Sequence, residues 1–235
     1  SLKAAAATVL NVTEDHMDRY VDLEDYRQAK LRIYHNAEVG VLNNEDKLTF
    51  GEGENQARQT VSFAENSADY WLKTENGKQY LMVKDEVILP CEEATLVGRH
   101  NYMNILAATA LAQAIGINLD SIRTALRHFK GLDHRFQLVH QANGIRWIND
   151  SKATNVGSTV AALAGLYIEG KLHLLLGGDG KGADFSELAE LINQPHIICY
   201  CFGRDGAQLA KFSSQSYLFE TMEQAIEFLR PTLQS

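Results

Sequence analysis

The chain has 235 residues, enough for one large domain or two ordinary ones, with 45% hydrophobic and 22% charged residues, the make-up of a soluble globular protein. Its formal net charge of −8 argues against the basic face that nucleic-acid binding requires. No apolar run approaches the ~18 residues of a membrane helix, and "AAAATVL" lacks the basic flank and cleavage signature of a secretion signal, so neither nucleic acid nor membrane is an expected partner.

In chain order, "ATVLNV" (7–12) reads as a strand. A helix is predicted over about 22–36, with Asp22 as its N-cap and Leu23, Tyr26, Ala29 and Ile33 as its buried face. "EVGVLNN" is the next strand, and "DYWLKTENGKQYLMV" is a hairpin turning at Asn76-Gly77. "NYMNILAATALAQAIG" is an Ala/Leu-rich helix stopped by Gly116, and "LDSIRTALRHF" is a second helix with Asp120 as its N-cap. After "KGLDHR" the rhythm changes. A hairpin turning at Asn143-Gly144 leads into alternating helices (about 156–167 and 185–193, a short one, and a last one) and strands ("LHLLLGG", "IICYCFG", "YLF"). That series predicts a mostly parallel sheet, and the domain boundary falls at Lys130-Gly131-Leu132. Three cysteines make no disulfide framework. Cys199 and Cys201, two apart, point to one face of a strand and are expected to pack in a core rather than to bind zinc.

Chemistry gathers at a few junctions. "NVTEDHMDRY" offers Glu14, Asp15, His16 and Asp18, which suit either a phosphate-bound divalent metal or a solvated acidic loop. Lys30 lies one helical turn from Tyr26. It reads first as a snorkelling lysine, and as a reactive amine only if desolvated. Asn101 and Asn104, three apart, share a helix face and suit a cap or a purine edge. "WINDSKATNVGST" (Trp147 to Thr159) ends an apolar strand in a crowd of small polar groups around Asp150 and Lys152, at a strand-to-helix junction where open α/β sheets place ligands. "LLLGGDGKGADF" is a Gly-rich turn that throws Lys181 outward, but no G-x-x-x-x-G-K-(S/T) loop occurs in these 235 residues. "FGRDGAQL" repeats that pattern less distinctively and reads as a plain turn. Arg135, Lys152 and Lys181 concentrate positive charge in an acidic chain, which suits an anionic ligand such as a nucleotide or a carboxylate.

Together "LNVTEDHMDRY", "YRQAKLRIY", "GRHNYMNILAA", "GLDHRFQLV", "WINDSKATNVGST", "LLLGGDGKGADF" and "CFGRDGAQL" resemble the Mur ligases, in the family's order and from the first residue to about Thr232. "NDSKATN" is the most specific part, and it resembles the members that add D-glutamate to UDP-N-acetylmuramoyl-L-alanine. The resemblance implies an α/β fold: a partial Mur ligase central (ATPase) domain over 1–131, with a mixed sheet and helices, and then a Rossmann-like, mostly parallel α/β domain over 132–235. It implies a monomeric, cytoplasmic ligase of peptidoglycan synthesis, using ATP and magnesium and passing through an acyl phosphate. His16 and Lys30 would hold the metal, with Lys30 carboxylated on its amine. Asn101, Asn104, Arg135 and Asp150 would meet the nucleotide, Lys152 the phosphates and reacting carboxylate, and Thr154 and Lys181 the D-glutamate carboxylates. The family's UDP-binding domain, P-loop and metal-binding glutamate are expected upstream of Ser1 and a closing strand beyond Ser235, so the chain itself reads as an inactive fragment. The competing expectations are a folylpolyglutamate synthetase-like ligase and a non-catalytic nucleotide- or glutamate-binding module.

Overall fold

The computed structural model describes residues 3–13, 19–96, 98–164, 166 and 170–233. The chain divides into two compact units, Ser1–Gly131 and Leu132–Ser235, each built around its own apolar clusters.

The first unit carries a six-stranded mixed sheet of β1 (Ala6–Thr8), β2 (Val39–Asn43), β3 (Gln59–Ala64), β4 (Tyr70–Glu75), β5 (Lys78–Val83) and β6 (Glu86–Pro90), in that spatial order. The first four strands pair in parallel and the last three antiparallel. β3 and β4 pair over only two residues, Phe63 with Tyr70 and Ala64 with Trp71, because the short link 65–69 cannot return the chain for a long parallel register. The β4–β5 hairpin turns at Asn76 and Gly77, both at positive φ (52° and 76°), as a primed turn demands.

Helix α1 spans Leu23–Leu31, and the Asp22 side chain accepts the Asp25 N–H as its N-cap. It stops earlier than the periodicity predicts, tightening into a 3-10 turn at Arg32–Tyr34. That turn swings Tyr34 inward, where its hydroxyl accepts the Val9 N–H at 2.9 Å. Ile33 is left 47% exposed, so the buried face is Tyr26, Arg27, Leu31 and Tyr34 rather than the expected set. Strand β1 is likewise shorter than the apolar run 7–12.

Helix α2 (Arg99–Ala114) packs Tyr102, Ile105, Leu106, Ala107 and Ala110 into the sheet's core. Gly116 follows at φ 87°, with Ile117 N–H bonding Ala112 O and Gly116 N–H bonding Gln113 O, the double bond that closes a helix through a left-handed residue. Helix α3 (Leu119–His128) is capped by Asn118, not Asp120. The Asn118 side chain accepts the Ser121 N–H, while Asp120 sits in the first turn and pairs with Arg123.

The second unit begins with an antiparallel hairpin, β7 (Gln137–Ala142) and β8 (Ile145–Asn149), turning at Asn143-Gly144. Helix α4 (Val156–Ala164) follows, then β9 (Leu172–Gly177). The predicted helix over 185–193 is a 3-10 turn (Ser186–Leu188) running into the short α5 (Ala189–Ile192). β10 (Ile197–Phe202), α6 (Gly206–Leu209), β11 (Ser216–Phe219) and α7 (Met222–Leu229) complete the order. The sheet is fully parallel with strand order β11-β10-β9. Alternation along β10 sends Ile197, Cys199 and Cys201 to one apolar layer, with Phe185, Leu188 and Ile192. Ile198 and Tyr200 face the other layer, with Ala225, Leu229 and Trp147. All three cysteines are buried and free. Among the described residues no helix is long and apolar enough to cross a membrane.

Candidate functional site

In the first unit, Lys30 occupies the last turn of α1, half-buried, with its Nζ 4.7 Å from the centre of the Tyr26 ring. A ring face is electronegative and attracts a cation, so Tyr26 offers the end of the Lys30 side chain a favourable contact. The neighbouring Arg27 is the residue the sequence reading missed. It is only 6% exposed and donates to Leu48 O (2.8 Å), Phe50 O (3.2 Å), Glu24 Oε1 (2.9 Å) and Glu52 Oε1 (2.6 Å). Those carboxylates push the guanidinium pKa up. Arg27 thereby holds α1 to the 48–52 loop.

Asn101 and Asn104 lie inside α2, whose N-cap is Gly98. Neither is therefore the cap; Asn101 is half-buried and Asn104 exposed. His16 lies outside the described residues. Among the described residues no cluster of three or more His, Cys, Asp or Glu side chains could hold a metal ion.

In the second unit the turn after β8 is sewn to the segment before β7. The Phe136 N–H donates to Asp150 Oδ1 at 2.9 Å, the Lys152 N–H to His134 O at 3.0 Å, and the Asn149 amide meets His134 Nδ1 at 3.0 Å. His134 and Phe136 both sit at positive φ (65° and 48°), an uncommon state for such residues that these cross-bonds sustain. Sequence neighbours of Arg135 are thus tied to Asp150 and Lys152, so one turn presents Arg135, Asp150, Lys152 and Thr154. Asn155 then accepts the Ser158 N–H at 2.8 Å at the start of α4. Arg135, Lys152 and Thr154 are exposed and Asp150 is half-buried.

Lys181 lies on the loop after β9, exposed, at φ 55°. Its backbone N–H donates to Asp179 Oδ1 (2.8 Å), and Arg204 Nη1 binds Asp179 Oδ2 (2.8 Å). The Lys181 amide first, and then the Arg204 guanidinium, hold the Asp179 carboxyl below the usual range. Asp205 Oδ2 accepts the Gly180 N–H at 2.6 Å, and the Asp205 N–H returns a bond to Gly178 O at 3.2 Å. Gly180 has no room for a side chain, since a Cβ there would come within 2.4 Å of Phe185 Cζ. "FGRDG", which read as a plain turn, is therefore the clasp of the Lys181 loop. Among the described residues no hydrogen bond joins that loop to the 150–154 turn, and none of Arg135, Lys152 and Lys181 forms an ion pair. Exposed cations on such turns can bind an anion.

A mixed-sheet unit followed by a parallel α/β unit, with cations displayed at the strand-end turns of the second, agrees with the family models. The Mur ligase middle domain matches residues 1–112 and the Mur ligase glutamate ligase domain matches residues 134–235, and the chain belongs to the Mur ligase family. Among curated relatives, it is 98% identical over 235 residues to the UDP-N-acetylmuramoylalanine--D-glutamate ligase of Haemophilus influenzae (strain 86-028NP), covering 100% of this chain and 54% of the relative. The chain thus spans about half the length of the curated relatives it matches. Among solved structures it resembles MurF from Acinetobacter baumannii (TM-score 0.79, 22% identity, 99% of this chain and 54% of that one). It also resembles a bifunctional folylpolyglutamate synthase/dihydrofolate synthase from Yersinia pestis complexed with AMPPNP and manganese (TM-score 0.64, 19% identity, 98% and 54%). At such identities the likeness is one of fold alone.

Proposed function

We propose that this chain carries the middle and glutamate-ligase domains of an ATP-dependent enzyme that joins D-glutamate to UDP-N-acetylmuramoyl-L-alanine in peptidoglycan synthesis. The observation that carries this reading is near-identity along the whole chain to a D-glutamate ligase. The folylpolyglutamate synthase shares only the fold.

In this reading the muramoyl-alanine carboxylate attacks the γ-phosphorus of ATP, ADP leaves, and an acyl phosphate forms. The D-glutamate amine then attacks the acyl carbon, and phosphate departs as the amide forms. Both steps crowd anions together, so catalysis rests on positioning and charge neutralisation. Lys152 neutralises phosphate and the reacting carboxylate from a turn held rigid by the Asp150–Phe136 and Lys152–His134 bonds. Thr154 and Lys181 bind the D-glutamate carboxylates, and Asn101, Asn104, Arg135 and Asp150 meet the nucleotide. Magnesium, held with the help of His16 and of Lys30 as a carbamate, would supply further neutralisation. The enzyme works as a cytoplasmic monomer that serves cell-wall growth and division.

Replacing Lys152 with Ala in the full-length ligase tests the reading. Phosphate release that depends on both muramoyl-alanine and D-glutamate should fall at least ~100-fold, the loss expected for one transition-state donor. Thermal stability should hardly move, since Lys152 is exposed. Near-normal turnover would remove Lys152 from the chemistry.

A further inference from the structure

The aspartate at the start of α6 does not behave as its position suggests. An aspartate in an N-cap place normally accepts an N–H from the first turn of its own helix. Asp205 stands in that place, yet its side chain makes no such bond. Its carboxylate is turned instead toward the neighbouring loop, where Oδ2 takes the Gly180 N–H at 2.6 Å. The preceding residue reaches the same loop, as Arg204 binds the Asp179 oxygen that Lys181 does not use. Gly203 lies against it too, since a Cβ there would approach Gly178 N to 3.1 Å. Three consecutive residues after β10 therefore grip three of the residues before Lys181, across 25 positions of sequence.

From this we infer that Asp205, assisted by Arg204, is a positioning residue for Lys181. It touches no substrate. By fixing the Gly180 peptide it fixes the direction in which the Lys181 stem leaves a left-handed backbone, and hence where the ammonium meets a carboxylate. The inference rests on the proposed role of Lys181 in holding D-glutamate. Asp205 is half-buried, and its bond to an amide is charge-assisted, so its loss should loosen the loop rather than unfold the unit.

The test uses steady-state kinetics of the full-length ligase with Lys181→Ala, Asp205→Ala, Asp205→Asn, Arg204→Ala and the double variant Lys181→Ala/Asp205→Ala. Lys181→Ala must raise the KM for D-glutamate, and if it does not, the assignment of Lys181 falls and the inference falls with it. Given that rise, Asp205→Ala should raise the same KM roughly tenfold, the worth of one charge-assisted bond, with kcat and the KM for ATP little changed. Asp205→Asn keeps an acceptor oxygen and should restore the KM to near wild type. The double variant should be no worse than Lys181→Ala alone, because Asp205 acts through that lysine. Should Asp205→Ala melt early, Arg204→Ala at its exposed position decides, with an expected rise of about threefold. An unchanged KM for D-glutamate in the variant that decides overturns the inference even when Lys181→Ala behaves as proposed. So does an Asp205→Ala penalty that adds in full to that of Lys181→Ala.

Discussion

Arg27 shows how a single charge can be structural in the middle of functional sequence. It sits one residue after Tyr26, whose ring contacts the end of the Lys30 side chain, and its guanidinium satisfies two loop carbonyls and two carboxylates at once. The two glutamates are largely exposed and return to water if the arginine is lost, so the pairs themselves contribute little. The carbonyls of Leu48 and Phe50 are the costly partners, since each would lose its donor next to a packed helix. Arg27→Ala should therefore destabilise the first unit by about 2–4 kcal/mol, read as a lower urea midpoint with an unchanged slope. Arg27→Lys should recover only part of this, because an ammonium lacks the planar fork that reaches all four acceptors. A full recovery by lysine would mean that charge, not geometry, is what the loop needs.

Among the elements, β10 makes the sharpest chemical forecast. Strand alternation places Cys199 and Cys201 in the same apolar layer, and burial pushes both thiols up, Cys201 to about 12. Burial also raises Cys91, beside β6, to about 11. The thiolate is the reactive form, so at pH 8 an aromatic disulfide reagent should label none of the three cysteines in the native chain. It should label all three in urea. Fast labelling before denaturation would show that this layer opens. The elements also separate what sequence makes legible from what it hides. Hairpins at Asn76-Gly77 and Asn143-Gly144 are written locally, because few residue pairs adopt two successive positive φ values. The end of α1 is not, since it depends on Tyr34 finding Val9, 25 residues away. β3 and β6 went unpredicted for the same reason, as their pairing partners define them more than their own short sequences do. Within the site, the small polar crowd around Lys152 was visible as composition. The clasp on Lys181 was not, because Arg204 and Asp205 acquire meaning only when two strand-end loops meet in space.

For the molecule as a whole, the two units divide the labour that the proposed reaction requires. In that reading the first contributes Asn101 and Asn104 on α2, and the second Arg135, Lys152 and Lys181, all exposed. Neither contains a G-x-x-x-x-G-K-(S/T) sequence, the loop whose backbone N–H groups and lysine cradle a triphosphate. The purified 235-residue chain should consequently bind ATP weakly and release no phosphate when given ATP, magnesium, muramoyl-alanine substrate and D-glutamate together. Steady phosphate production dependent on both substrates would overturn that expectation. The shielding of every native thiol has a practical corollary for such work. A cysteine introduced at exposed Ser151, beside Lys152, would be the one nucleophilic sulfur on the surface, so a dye attached there needs no prior removal of natural cysteines. Its fluorescence would then follow occupancy of the 149–155 turn in real time, in a protein otherwise chemically silent toward the label.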